Sequence, residues 1–499
     1  MRIMEFVIGL DLGTTNCKAV ALSAQGRILA TSSSSHIMLT PQTGWAEQDP
    51  RQVWNSASEA LKALVEQNPP GELVGLTLSG AMHSLLLVGS DDEPLAPAMT
   101  WADQRAATQA LQLKERVDAP DLYRRTGCPL VQIYHPAKLR WWIEQAPELA
   151  RKSKLFATIK DYVLHKLCGV WLGDYGMAST MGLLDIHRFT WDNEALEISG
   201  VKPHLMPDLL WPSQLAGKLT DAASRLTGLP ASLPVVIGTH DGGLANIGAG
   251  AAAQGDSVIT IGTSGAIRRI VSQPLLDERQ RTWCYVLAPN QWLAGGAINN
   301  GGLALQWVRE KFYADIPVDN GYAKLLAEAE VIPPGSDGVF LLPYFSGERS
   351  PHWDPKARAA ILGLRLDHHR AHIARAALEG VAFCLADVWQ ALVTSRSQED
   401  VLQAHLTGGV TRSPLWAQII ADVLALRLTS VEVADASAVG AAILGHQALG
   451  VASISELANK IEKGSLYEPD PQLHRVYANL HHRFQQLYNQ IIQPFSLAE

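Results

Sequence analysis

Residues 7–23, VIGLDLGTTNCKAVALS, put a carboxylate, a bare turn and two hydroxyls between two apolar runs. Gly13, Thr14 and Thr15 offer backbone N–H groups and hydroxyls, the donors that cradle phosphate oxygens, and Lys18 adds a positive charge. Asp11 would repel a bare phosphate. It makes sense there if a metal ion stands between, because Mg²⁺ takes carboxylates alongside substrate phosphates. Alone, D-x-G-T is equally an ordinary hairpin turn, where Asp and Gly are common. A second copy follows in SVITIGTSGAIRRIVS, residues 257–272, where Gly262, Thr263 and Ser264 stand as Gly13, Thr14 and Thr15 do. The offset of 249 (262 − 13) is half of the 499-residue chain. A repeat at half the length predicts two similarly built lobes, each lending one hairpin to the phosphates of a nucleotide.

Three further segments carry polar groups in apolar surroundings. In VVIGTHDGGLANIG, residues 235–248, Asp241 ends an apolar strand among glycines. A carboxylate at a strand end is available to a ligand, or it caps the turn. His240 beside it is either packed locally or an imidazole near the site. In LTLSGAMHSLLLV, residues 76–88, His83 interrupts an apolar run and reads as a satisfied buried histidine or a substrate contact. MTWADQRA, residues 99–106, supplies Trp101, Asp103 and Arg105. Aromatic surface with a carboxylate and a guanidinium suits a polyol, and arginine can hold a carboxylate by two hydrogen bonds. The alternative for Asp103 and Arg105 is an ion pair at i, i+2.

The elements that must position these groups read as α/β. FVIGL, CKAVALS and RILATSSSS are strands of a meander, with DLGTTN and AQG as turns. A helix follows in EQDPRQVWNSASEALKALVEQ, capped by Asp49 with Pro50 at its first position; Val53, Ala57, Ala60, Leu61 and Leu64 recur at helical spacing. LVGLTLSG is a buried strand, and meander, helix, strand is an α/β order. A boundary is expected near 245–256, ANIGAGAAAQGD, where small residues suit a hinge or tight packing. NIGAGAAA mimics a dinucleotide fingerprint, but no strand precedes it directly and no ribose-binding acid follows. There is no Walker A sequence.

Composition bounds the rest. With 499 residues, 47% hydrophobic and 18% charged, two domains are expected. The net charge of -8 and the lack of a Lys/Arg run of five argue against a phosphate-backbone footprint. The five cysteines, Cys17, Cys128, Cys168, Cys284 and Cys384, form no CxxC and suggest neither a disulfide framework nor a zinc site. The N-terminus does not read as a secretory signal, and no uninterrupted apolar stretch approaches the ~18 residues of a membrane span. A soluble, reducing, cytoplasmic setting is the expectation.

DLGTT with Lys18, and the second turn in ITIGTSG, resemble the FGGY carbohydrate kinases, the sugar-kinase branch of the actin-like ATPase superfamily. GLRLDHHRAHIARAALEG, residues 363–380, resembles the family's C-terminal signature. AKLRWWIEQ, residues 137–145, resembles the core of its other signature, from which His135 departs. LTGGVTRSPLWAQIIADVL, residues 406–424, resembles its adenosine segment. The matching motifs run from residue 11 to about 445.

The resemblance implies a two-lobed actin-like (ribonuclease H-like) ATPase fold with a duplicated core and a cleft between lobes. It implies a sugar-binding lobe over residues 1–248, carrying the first hairpin, and a nucleotide-binding lobe over 249–499. Asp241 is then the catalytic base, Asp11 the Mg²⁺ ligand, and Met82, His83, Trp101, Asp103 and Arg105, with Asp241, the substrate contacts. Gly13, Thr14, Thr15, Lys18, Gly262, Thr263, Gly302, Gln306, Gly409 and Ser413 would meet ATP, the glycines because close backbone approach leaves no room for a Cβ. Segments such as SGAMHSLLLV, TWADQR and PYFSGERSPHWDP look most like the gluconokinase branch. Ala81 and Ser84 stand where xylulokinases carry Gln and Gly. D-gluconate, phosphorylated at its 6-hydroxyl with ATP and Mg²⁺, is therefore the expected substrate, and Arg105, His83 and Arg349 are candidates for the cation facing its carboxylate. The implied partners are a small sugar or sugar acid and ATP, with no nucleic acid and no membrane, and a homodimer as the assembly. The alternatives are a kinase for another polyol or a ketose such as xylulose, a non-catalytic actin-like module, and a nucleotide-dependent assembly protein.

Overall fold

A computed structural model describes residues 4–394 and 403–498. The meander forms as expected: strand Glu5–Leu12 pairs antiparallel with Asn16–Ser23, and that with Ile28–Ser35. The ladder continues through Asp11↔Lys18 and Leu12↔Cys17, so the turn is shorter than DLGTTN and Asp11 is a strand residue. Helix Pro50–Glu66 starts where its signals place it. Asp49 accepts the Arg51 N–H at 2.9 Å, and Val53, Ala57, Ala60, Leu61 and Leu64 are fully buried against the sheet.

Two sheets carry the fold. In the first, the meander is extended from Glu5–Leu12 by two parallel strands, Glu72–Gly80 and Pro234–His240, and closed by an antiparallel edge strand, Leu215–Lys218. In the second, Ser257–Ile261, Gly265–Val271 and Gln291–Ile298 form the meander. Gln403–Gly408 and Arg427–Ser430 add in parallel, and Leu466–Tyr467 closes the edge. Apart from the extra strand Trp283–Ala288, the second sheet repeats the strand order and directions of the first. The duplicated core read from the two Gly-Thr turns is thus a duplication of whole sheets.

The halves meet through two helices rich in small residues, Asp241–Gly248 and Ala436–Ala448. A Cβ on Gly248 would lie 1.9 Å from the Ala436 carbonyl oxygen, and one on Gly440 1.9 Å from that of Leu244. Helix Ala436–Ala448, although from the second half, also lies on the first sheet, where a Cβ on Gly9 would lie 1.9 Å from the Ala438 oxygen. The small-residue run is therefore used for tight packing.

Helix Arg370–Thr394 leaves the expectation of no uninterrupted apolar span in place, since Arg375, Glu379 and Asp387 interrupt it. Its segment Arg370–Val393 contains an 18-residue window apolar enough to cross a membrane by composition, with a mean hydropathy of 1.5. Of that window 89% is buried inside the protein, where the helix forms the centre of the second half's core. The five cysteines are free thiols.

Candidate active site

Ligands in open α/β sheets bind beyond the carboxyl ends of the parallel strands. Asp11 and Asp241 are both delivered there, at the ends of strands Glu5–Leu12 and Pro234–His240, which flank Glu72–Gly80. Asp11 Oδ1 accepts the Ser79 hydroxyl at 2.6 Å, and burial raises its proton affinity. Asp241 opens its helix, and its Oδ1 accepts the Gly242 N–H at 2.7 Å. Burial, and then the charge of Asp11, push Asp241 up to about 7, with the Arg268 guanidinium pulling the other way. Two mutually repelling carboxylates thus share one end of the sheet, with a base poised near neutrality. Met82 packs beside them, its Cε 3.1 Å from where a Cβ on Gly242 would stand.

The two neighbouring histidines are neutral. His240 is buried and caps the helix, accepting the Gly243 N–H at 3.0 Å through Nδ1, while Nε2 lies 3.3 Å from the Val286 oxygen. Both ring nitrogens are occupied, and burial lowers it to about 4, so His240 is packing and capping and offers no free base. His83 holds the left-handed region at φ 65. Its Nδ1 donates to the Thr180 oxygen at 2.8 Å, and the Tyr134 and Tyr285 rings stand edge-on at 5.2 and 6.0 Å. Burial lowers it to about 3, which withdraws it as the cation for a carboxylate and leaves Nε2 an acceptor.

The two Gly-Thr turns face each other across a cavity of about 600 Å³, lined by Thr14 and Thr15 from one turn and Thr263 and Ser264 from the other. Trp101 spans it, its indole donating to Thr14 Oγ1 at 3.1 Å and its ring lying 5.2 Å from the Arg349 guanidinium. Arg349 is anchored by Asn299 Oδ1 at 2.7 Å and the Ile298 oxygen at 3.2 Å. Glu348 beside it is 3% exposed; its Oε1 accepts the N–H groups of Asn299 (2.6 Å) and Arg349 (2.8 Å), and burial raises it to about 8. Gln104 and Gln132, bonded to each other at 2.7 Å, also line the cavity. Local sequence pattern does not mark Gln104, Asn299 or Glu348 as cavity residues. The one available signal was Gln132, a lone amide in the apolar run LVQI.

Asp103 and Arg105 are not brought into this cavity. Arg105 Nη2 lies 2.6 Å from Asp103 and 2.7 Å from Glu47, its side chain is 2% exposed, and its guanidinium lies 3.5 Å from the centre of the Trp45 ring. Asp103 is further occupied by the Ala46 N–H at 2.8 Å. The i, i+2 pair is a closed buried network that water and ligand do not reach. Arg105→Met is accordingly expected to cost about 3–5 kcal/mol of stability in denaturant unfolding, through two stranded carboxylates. A rise of about a hundredfold in sugar KM at unchanged stability would instead put Arg105 in the site.

On the nucleotide side the placements divide. Gly262 and Thr263 are exposed at the second turn, and its carbonyls accept from the start of helix Gly302–Phe312: Gly302 N–H to the Gly262 oxygen at 2.7 Å and Gly301 N–H to the Thr263 oxygen at 3.0 Å. A Cβ on Gly302 would stand 2.7 Å from that Gly262 oxygen, so the glycine serves this close approach. In the first turn, Gly13 N–H closes onto the Asn16 oxygen at 2.9 Å. Gln306 is exposed and bonds Glu310 one turn along. Gly409 is exposed, but Ser413 is 5% exposed and spent on capping helix Pro414–Leu424 through the Trp416 N–H at 3.3 Å. Lys18 is paired with Asp435 from the far end of the chain, so its charge is already engaged.

Residues 6–248 match the N-terminal domain of the FGGY family of carbohydrate kinases, and residues 257–449 its C-terminal domain. The chain is 34% identical to a gluconokinase of Bacillus licheniformis, over 95% of this chain and 94% of that protein. It is 29% identical to a xylulose kinase of Escherichia coli, over 97% and 99%. Among solved structures, a gluconate kinase and a ligand-bound xylulose kinase, both from Lactobacillus acidophilus, each superpose with a TM-score of 0.93 at 30% identity, over 98–99% of this chain and 100% of theirs. The chain belongs to the FGGY family of carbohydrate kinases, with the two-lobed actin-like fold, and is a sugar kinase.

Proposed function

We propose that this kinase transfers the terminal phosphoryl group of ATP to a hydroxyl of a sugar acid, with D-gluconate and its 6-hydroxyl as the substrate. Arg349 carries the reading, being the single Lys or Arg among the cavity-lining residues. Glu348 stays protonated near neutral pH and so does not cancel that charge. The likeness to gluconokinases supports the same substrate.

In this reading residues 1–248 hold the sugar and 249–499 the nucleotide. His83 Nε2 accepts from a sugar hydroxyl and Trp101 offers its face. Asp241 orients the attacking hydroxyl and takes its proton as the new O–P bond forms and the bond to ADP breaks. Its elevated proton affinity makes it a stronger acceptor than a surface aspartate, and kcat/KM rises with pH towards about 7 as the carboxylate ionises. The hydroxyls and N–H groups of the two turns contact phosphate oxygens, and Lys18 joins them by exchanging Asp435 for phosphate.

The donor set suits Mg²⁺: Asp11 offers a carboxylate oxygen close enough to Asp241 for the charges to repel, which a divalent cation would relieve. Among the described residues no cluster of three or more His, Cys, Asp or Glu forms a cation cage, as fits an ion held by one carboxylate and the nucleotide. When bound, the ion neutralises charge on the transferring phosphoryl group.

The test is ADP formation from Mg-ATP with D-gluconate, xylulose, glycerol or no sugar. Gluconate is expected to stimulate most. Stronger stimulation by xylulose or glycerol would move the substrate and sink the sugar-acid reading.

A further inference from the structure

The signature segment around Lys138 has no part in the chemistry above, yet its amine is placed unusually. Lys138 is fully buried, and its Nζ donates to two backbone carbonyls, His83 at 2.6 Å and Thr100 at 2.8 Å. These oxygens belong to separate loops, one carrying Met82 and His83, the other leading into Trp101. Helix His135–Gln145 holds the first loop twice, because one turn before Lys138 the His135 Nε2 donates to the Ser84 oxygen at 3.1 Å. Ser84 Oγ in turn accepts the Ile159 N–H at 3.1 Å. His83 keeps a positive φ, which a non-glycine residue maintains only where its surroundings over-determine it, and this clamp supplies that constraint. Arg349 touches the outcome from the other side: it lies over Trp101 and its charge is felt at His83.

We infer that Lys138 is the positioning residue of the sugar site, setting the imidazole of His83 against the indole of Trp101 by tying their two loops to one helix. The inference rests on the sugar-site reading above. Burial lowers Lys138 to about 7, but a neutral amine retains two N–H bonds and serves both carbonyls in either state. The clamp therefore acts through geometry.

Lys138→Met keeps the bulk of the chain and removes the donors; Lys138→Gln keeps two N–H bonds. The Met variant is expected to raise sugar KM about a hundredfold, with ATP KM held within about threefold, as two stranded carbonyls let the loops part. The Gln variant should recover about tenfold of that loss. If the Met variant does not fold, the Gln variant is compared with wild type on the same two constants. An unchanged sugar KM, or sugar and ATP constants rising together in step with lost stability, would overturn the positioning role. Wild type that forms no ADP with any sugar overturns instead the sugar-site reading on which the role rests.

Discussion

Asp241→Asn is expected to fold, to bind ATP and to lose about 10²–10⁴-fold in turnover, the usual contribution of a positioned general base. The amide keeps an oxygen for the Gly242 N–H, so the helix start is preserved and proton acceptance alone is removed. The same change should stabilise the protein. Asp241 is held above its ordinary value by burial and by Asp11, so the folded state keeps a proton that the unfolded chain has already released. Wild-type stability therefore falls relative to the variant as pH rises from about 4, where the unfolded carboxyl ionises, and the deficit is complete above about 7. Steady-state rates and chemical unfolding at pH 5 and pH 8 read both effects. A variant retaining near-wild-type turnover would remove Asp241 from the role of base.

Arg349→Met should lower kcat/KM for D-gluconate by about 10²–10³-fold, the range for removing one partner of a buried charge pair. It should lower kcat/KM for a neutral ketose far less, because that substrate brings no carboxylate to pair. The comparison within one variant matters, since Arg349 also ties Asn299 Oδ1 and the Ile298 oxygen together, and their loss would blunt both substrates equally. Equal losses on gluconate and xylulose would make Arg349 a structural brace and leave the carboxylate without its cation. Keeping Glu348 in place holds the test clean, as its Oε1 still accepts the Asn299 N–H.

Features set by neighbours in the chain were legible from the sequence. Asp49 and Pro50 determine where their helix starts, because a cap and a fixed φ act within one turn. The Gly-Thr turns at 13–15 and 262–264 mark the duplication, because each joins the first two antiparallel strands of its own meander. Asp241 at the end of an apolar strand was legible for the same reason: a carboxylate cannot continue a buried run.

Which polar side chains face the cavity was decided by tertiary structure. Asp103 and Arg105 looked like ligand contacts beside Trp101, yet Glu47 and Trp45, more than fifty residues upstream, close over them. Ser413 looked like part of the adenosine segment and is committed to its own helix. Lys18 meets Asp435, 417 residues away. Arg349 reaches Trp101 only because the second half folds back over the first. A side chain's role depends on which partner satisfies it once water is excluded, and that partner is chosen by packing across the chain; local pattern records only that a polar group is present.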